Sequence, residues 1–156
     1  MNQSRRKILQ GSGGAAVMAL AASSGVFKSG DVYAEEWNKA AFDTKSLQDT
    51  VKAFGGAAAT ESKDISIISP DIAENGAVVP VSVSSKLGKT ESISILVEKN
   101  PNALSATFDI PGGTEAFVST RVKMGQTSNV YALVKADGKY FFASKEIKVT
   151  LGGCGG

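Results

Sequence analysis

Histidine is absent from all 156 residues, and cysteine occurs once, at Cys154. The first absence removes every Ser-His-Asp and Cys-His nucleophile system, together with imidazole ligands for haem or zinc. The second removes an internal disulfide and any thiolate metal cluster. Long apolar runs are also missing. Glycines and serines interrupt the weakly apolar stretch from Gly11 to Phe27, which therefore lacks the ~20 continuous apolar residues of a membrane span. What chemistry remains must come from a lone thiol, from carboxylates, or from another protein.

That interrupted stretch reads instead as an address. Arg5, Arg6 and Lys7 precede it, and small residues at Val32 and Ala34 suit signal peptidase. "SRRKIL" resembles the twin-arginine export signal, with Ile8 where phenylalanine is commonest. That route carries folded proteins, often in company, across a bacterial inner membrane, so residues 1–34 are assigned as a signal and the periplasm as the destination. The chain's excess of basic residues lies largely in this segment. Residues 35–156 hold 13 basic and 14 acidic side chains, which takes away the basic patch that nucleic-acid binding needs.

The remaining 122 residues fit one domain, since domains commonly run to ~100–150 residues. Residues 35–56 form an N-terminal helical segment. "FDTKSLQDTVKAFGG" predicts a short helix with Asp43 as N-cap, and Phe42 and Leu47 as a hydrophobic staple. Leu47, Val51 and Phe54 share one face, Trp37 extends it, and Gly55-Gly56 end the helix.

Over residues 57–151 the period changes to two. "DISIIS", "AVVPVSVS", "SISILVE", "LSATFDI", "EAFVSTRVKM", "NVYALVK" and "YFFASKEIKVT" predict seven strands. Ala77, Val79, Val81 and Val83 share a face, and Pro80 marks that strand as an edge or a bulge. Asp137-Gly138 is a hairpin turn, and in "PDIAENG" Glu74 and Asn75 cap a turn in which Gly76 takes positive φ. Arg121 and Lys123 alternate with Val122 and Met124 as on a half-exposed strand. The pattern is that of an all-β, antiparallel sandwich of about seven strands, with a short helix before it.

Residues 152–156 form a flexible glycine-rich arm. Gly152, Gly153, Gly155 and Gly156 flank Cys154; they offer no side chain to pack, and each is costly to order. An extended chain from Leu151 carries the thiol ~13 Å at most. An exposed thiol is only a few per cent thiolate at neutral pH, and nothing nearby in sequence activates it. The tail is one residue too short for prenylation and lacks the C-x-x-C-H of haem attachment. Nor does Cys154 sit at the signal cleavage site, as a lipoprotein anchor would. Three readings stay open: a carrier thiol, an intermolecular disulfide that dimerises a structural sandwich, and an inert tail.

The tail "VTLGGCGG", "SPDIAENGAVVPVSV" (Ser69–Val83) and "TRVKMGQTSNVYALV" (Thr120–Val134) together resemble the SoxY family. These are the sulfur-substrate carrier subunits of the periplasmic thiosulfate-oxidising Sox system, and the likeness runs across the whole mature chain. The resemblance implies an immunoglobulin-like sandwich paired as a heterodimer with SoxZ, a related subunit without a signal of its own. It implies a carrier, not an enzyme, with no cofactor beyond sulfur held covalently on Cys154. The four glycines match the family's swinging arm. A SoxAX-like c-type cytochrome would load the thiol oxidatively, and a SoxB-like manganese hydrolase would release sulfate. In some organisms a SoxCD-like molybdenum–haem sulfur dehydrogenase oxidises the sulfur left behind.

Overall fold

The computed structural model describes residues 38–150, so the export signal with Arg5 and Arg6, Trp37, and the tail Leu151–Gly156 lie outside the described residues. Two short helices come first, α1 (Lys39–Phe42) and α2 (Leu47–Ala53). The helix expected with Asp43 as its N-cap starts instead at Leu47, and a separate short helix precedes Asp43. Asn38 caps α1 by accepting from the Ala41 N–H, and Asp43 is its C-cap. Ser46, in extended backbone, caps α2 by accepting from the Asp49 N–H. A serine hydroxyl serves this purpose as well as a carboxylate, and the pattern F-D-T-K-S holds both. The end of α2 follows expectation. Gly55 has φ 81°, its N–H bonds Lys52 O at 2.9 Å, and the Gly56 N–H bonds Val51 O at 2.8 Å. This is a Schellman closure.

Nine strands follow: β1 (Ala59–Glu61), β2 (Ile65–Ile68), β3 (Ile72–Ala73), β4 (Val79–Ser85), β5 (Thr90–Val97), β6 (Leu104–Asp109), β7 (Phe117–Val122), β8 (Ser128–Ala136) and β9 (Lys139–Val149). The larger sheet has the order β1-β9-β8-β5-β6, with β3 also on β9; the smaller is β2-β4-β7. Seven of the nine match the expected strands. The two extra ones, β1 and β3, pair with β9 in parallel, β1 beside Tyr140–Phe142 and β3 beside Lys148–Val149. Both lie on the same edge of β9, because β8 fills the other edge. The chain leaves the larger sheet between them to form β2 in the smaller one.

Val79, Val81 and Val83 are fully buried, facing Ile93, Ile95 and Val97 of β5 and Val130, Ala132 and Val134 of β8 across the sandwich. Burial of each such side chain contributes roughly 1.5–3 kcal/mol. Ala77 falls outside the strand and is exposed. Nor is β4 an edge, since it pairs with β2 and β7 on its two sides. Pro80 is accommodated because the β2 ladder stops at Ile68–Ser82. The Pro80 carbonyl accepts from Ser69 Oγ at 2.8 Å, so its ring nitrogen faces the side where no strand donor or acceptor is required.

The far face of the larger sheet is covered as well. Ala41 and Val51 from the helices pack with Leu96, Ala103, Leu104 and Leu133, flanked by Leu47, Phe54, Tyr140 and Phe142. The architecture is therefore three layers: helices, larger sheet, smaller sheet. That explains why Ser94, on the nominally polar face of β5, is buried; its hydroxyl meets Thr107 Oγ1 at 2.8 Å. The Thr44 and Thr50 hydroxyls, also buried, bond each other at 2.7 Å. No buried side-chain polar atom lacks a partner among the described residues.

Asp137 (φ 49°) and Gly138 (φ 73°) make the expected hairpin turn between β8 and β9. Gly76 departs from expectation, for it is not among the glycines with positive φ. It is required by space instead. A Cβ there would press on the Met124 carbonyl oxygen and stand 2.9 Å from Val149 Cγ1, while the Gly76 carbonyl accepts the Met124 N–H at 2.6 Å. Gly76→Ala is expected to cost about 1–3 kcal/mol through overpacking against backbone. Gly125→Ala, where a Cβ meets nothing within 4 Å, should stay within about 0.5 kcal/mol. Urea unfolding of the two variants separates space from conformation; equal losses would refute the assignment.

Candidate functional site

Among the described residues, the one nearest to the thiol in sequence is Thr150, just past the end of β9. Arg5, Arg6, Gly152, Gly153, Cys154, Gly155 and Gly156 all lie outside the described residues. The Asp137-Gly138 hairpin stands at one end of the eleven-residue β9, and Thr150 at the other. Three segments, residues 69–78, 98–102 and 123–127, gather at the Thr150 end around the last residues of β9.

These loops are knitted by hydrogen bonds. The Lys148 N–H donates to Asp71 O at 2.9 Å, and the Thr150 N–H to Ala73 O at 3.1 Å. The Val149 N–H, pointing the other way, donates to Thr127 Oγ1 at 3.0 Å. Asn100 Nδ2 donates to Lys123 O at 2.7 Å, and its Oδ1 accepts the Gly125 N–H at 3.3 Å. Asn75 Oδ1 accepts from the Ala77 N–H at 2.9 Å, as the expected capping of this turn requires. The N-terminal helices join too, with the Ala103 N–H donating to Thr44 O at 2.8 Å and Lys45 Nζ donating to Pro101 O.

A second lysine joins this network. Lys145 Nζ donates to Ser69 O at 2.5 Å and pairs with Asp71 Oδ1 at 2.9 Å. The hydrogen bond from Lys145, reinforced by its charge and by that of Lys148, holds the Asp71 carboxyl below its ordinary value. Neither Lys145 nor Asp71 was singled out by sequence pattern. Lys145 and Ser69 are 76 residues apart, and only the parallel placement of β3 on β9 brings them together.

The surface around this end is apolar in places. Ile68 is 62% exposed, Ile72 55% and Val78 49%, and all three belong to the segment that carries "PDIAENG". Arg121 and Lys123 are exposed on and just beyond β7, with Val122 and Met124 buried between them, as the alternation implied. Two grooves among the described residues lie at the opposite end. One, of 430 Å³, is lined by Gly55, Gly56, Lys139 and Tyr140; the other, of 280 Å³, by Lys86, Lys89, Pro111 and Gly113. Among the described residues there is no cluster of three or more metal-ligating side chains, and no helix is long and apolar enough to cross a membrane. Among the described residues, the geometry at this end is a hydrogen-bonded close of β9, and the two grooves above lie away from it.

Comparison with known proteins bears on what that base serves. The sulfur carrier protein SoxY from Chlorobium limicola f thiosulfatophilum shares 39% identity and a TM-score of 0.59, covering 65% of this chain and 92% of its own. A superoxide reductase (neelaredoxin) from Ignicoccus hospitalis shares 22% identity over 55% of this chain and 80% of its own, with a TM-score of 0.48. Curated protein sequences give no match. The family pattern of the sulfur oxidation protein SoxY matches residues 50–154, well over half of the chain and ending on its cysteine. The chain belongs to the SoxY family.

Proposed function

We propose that this protein is a covalent carrier in thiosulfate oxidation, holding sulfur intermediates on Cys154 and presenting them to partner enzymes. The observation that carries the reading is the extent of the family match, which runs from within α2 to residue 154. A tightly hydrogen-bonded base at Thr150 supports it, because a tethered group is delivered best from a fixed point.

The chemistry needs sulfur and little else from this chain. The Cys154 thiolate and the outer sulfur of thiosulfate join in a two-electron oxidation, giving R–S–S–SO₃⁻ while a c-type cytochrome of the SoxAX kind accepts both electrons. Water then cleaves the S–SO₃ bond on a manganese hydrolase of the SoxB kind. Sulfate and two protons leave, and a persulfide remains on the cysteine. A SoxCD-like dehydrogenase is the further partner where the remaining sulfur is oxidised. The carrier supplies neither base nor metal, and its sulfur is suited to reversible S–S bond formation. A SoxZ-like sandwich subunit is the stable partner, and the periplasm, reached through Arg5-Arg6, is the compartment.

Intact mass of the protein from thiosulfate-grown cells tests this against a structural protein that dimerises through Cys154. A carrier shows sulfur-containing additions on Cys154, whereas a linker shows only a reducible dimer. Cys154→Ser is expected to abolish thiosulfate-dependent turnover in a reconstituted system, because oxygen cannot form the S–S bond. Replacing Gly152 and Gly153 with valine should leave the thiol open to a small alkylating reagent yet cut enzymatic loading, since β-branched side chains stiffen and widen the segment. Undiminished turnover by the valine variant would remove the delivery role of the glycines.

Two further expectations concern export and pairing. Arg5→Lys combined with Arg6→Lys should leave precursor in the cytoplasm, and normal periplasmic accumulation would count against the twin-arginine route. With Ile68, Ile72 and Val78 exposed, the isolated mature chain should self-associate and become a defined heterodimer once the partner subunit is added. Light scattering that finds a clean monomer at high concentration, with no affinity for that subunit, would overturn the pairing.

A further inference from the structure

We propose that Asn75–Gly76 is a modification site: the Asn75 side chain deamidates spontaneously through attack by the Gly76 nitrogen, at a rate gated by the turn that holds it. The inference goes beyond the carrier reading and does not rest on it. Two unrelated demands of the fold put the reactive pair together. The turn after β3 needs a short side-chain acceptor, and Asn75 Oδ1 takes the Ala77 N–H at 2.9 Å. The next position must lack a Cβ, which would press on the Met124 carbonyl oxygen and stand 2.9 Å from Val149 Cγ1. Asparagine followed by glycine satisfies both, and it is also the pair in which least bulk obstructs ring closure by the following amide.

The reaction needs only this chain and water. The Gly76 nitrogen gives up its proton and attacks Asn75 Cγ. A C–N bond forms, the side-chain NH₂ leaves as ammonia with the equivalent of that proton, and a cyclic imide remains. Water then opens the ring. Breaking the bond from nitrogen to Cγ leaves aspartate. Breaking the bond to the former main-chain carbonyl leaves isoaspartate, in which the backbone runs through Cβ and Cγ. Asn75 is exposed and Gly76 half-buried; among the described residues nothing accepts the Gly76 N–H, which leaves its proton to solvent. The other four described asparagines lack these conditions. Pro101 after Asn100 has no N–H. The Ala103 N–H after Asn102 donates to Thr44 O at 2.8 Å. Asn129 precedes β-branched Val130 within the β8 ladders, and Asn38, the cap of α1, precedes the bulkier Lys39.

The gate is the turn itself. Ring closure needs Cγ to swing onto the Gly76 nitrogen and the peptide between residues 75 and 76 to rotate. Both motions break bonds: Oδ1 leaves the Ala77 N–H, and the Asn75 carbonyl leaves the Val78 N–H, now at 3.3 Å. Gly76 cannot follow, because its carbonyl accepts the Met124 N–H at 2.6 Å and Met124 O fills the place of a Cβ. Two hydrogen bonds of ordinary net strength slow the reaction about thirtyfold relative to the unfolded chain. The isoaspartate product lengthens the link between residues 75 and 76, which draws Gly76 from its slot and frees the Met124 N–H. Either product adds a carboxylate beside Glu74.

The test incubates the full mature chain in warm, mildly alkaline buffer, folded and in guanidinium, and follows exchange of NH₂ for OH by mass spectrometry. Peptide mapping places the change, and chromatography separates isoaspartate from aspartate. The Asn75 peptide should convert about thirtyfold more slowly in the folded chain than in guanidinium, with the peptides of Asn100, Asn102 and Asn129 unchanged in the folded chain. Asn75→Ser, whose hydroxyl can still accept the Ala77 N–H, should show no shift in intact mass. The isoaspartate form should lose amide-exchange protection at Met124 on the order of tenfold, while Asn75→Asp keeps it. A folded chain that converts as fast as the unfolded one would remove the gate. A folded chain without product over the time that thirtyfold slowing allows would remove the site.

Discussion

Strand β9 is the constraint on which the rest depends. Its eleven residues are paired with β8 from Lys139 to Ile147 on one edge, and with β1 and then β3 on the other. Tyr140 at its start stacks on Phe54 with ring centroids 6.4 Å apart, and its hydroxyl donates to Phe54 O at 3.0 Å, which docks the helical layer. Ile147 near its end is fully buried between the sheets. Thr150, one residue beyond the end of β9, is the last described residue before the segment that carries the cysteine. Any slip of register in β9 would exchange its core and solvent faces and move the origin of that segment at the same time.

Burial on both faces of the larger sheet makes such a slip costly. In β5 and β8 one face packs on the smaller sheet through Ile93, Ile95, Val130 and Val134, and the other packs on the helices through Leu96 and Leu133. A sheet solvated on one side would be held by half as many contacts. The covering helices are short, of four and seven residues, so they cannot be stable alone and owe their form to caps and to this contact. Sheet and helices each complete the other, and β9 inherits a fixed position from both.

Most of this was legible in the sequence, because alternation is a local signal. Val79-x-Val81-x-Val83 and Ile93-x-Ile95-x-Val97 announce their strands, and Asp137-Gly138 its hairpin. What stayed hidden was non-local or too short to carry a period. β1 and β3, of three and two residues, exist because β9 offers them an edge, and their parallel sense follows from a chain that crosses to the smaller sheet and back. Pro80 reads as an edge marker, yet it sits in a middle strand just past the end of its neighbour's ladder. Gly76 reads as a residue needing positive φ, whereas what it provides is room for Met124 O. In each case the local sequence pointed elsewhere, and the cause lay in a contact with another segment of the chain.

The candidate site is a different case. Four glycines around a lone cysteine lead to the expectation of a tethered thiol, and the absence of histidine to the expectation that its activation comes from elsewhere; these residues lie outside the described ones. The sequence alone does not reveal the anchor. A tether performs a defined task only if its origin is fixed, since uncertainty in the origin adds to the spread of its end. Asp71, Thr127 and Ala73 accept the N–H groups of Lys148, Val149 and Thr150, the last three described residues, and none belongs to the glycine motif. On the carrier reading proposed above, the chemistry is concentrated in one sulfur atom, and the hydrogen bonds that close β9 are made four to six residues before it.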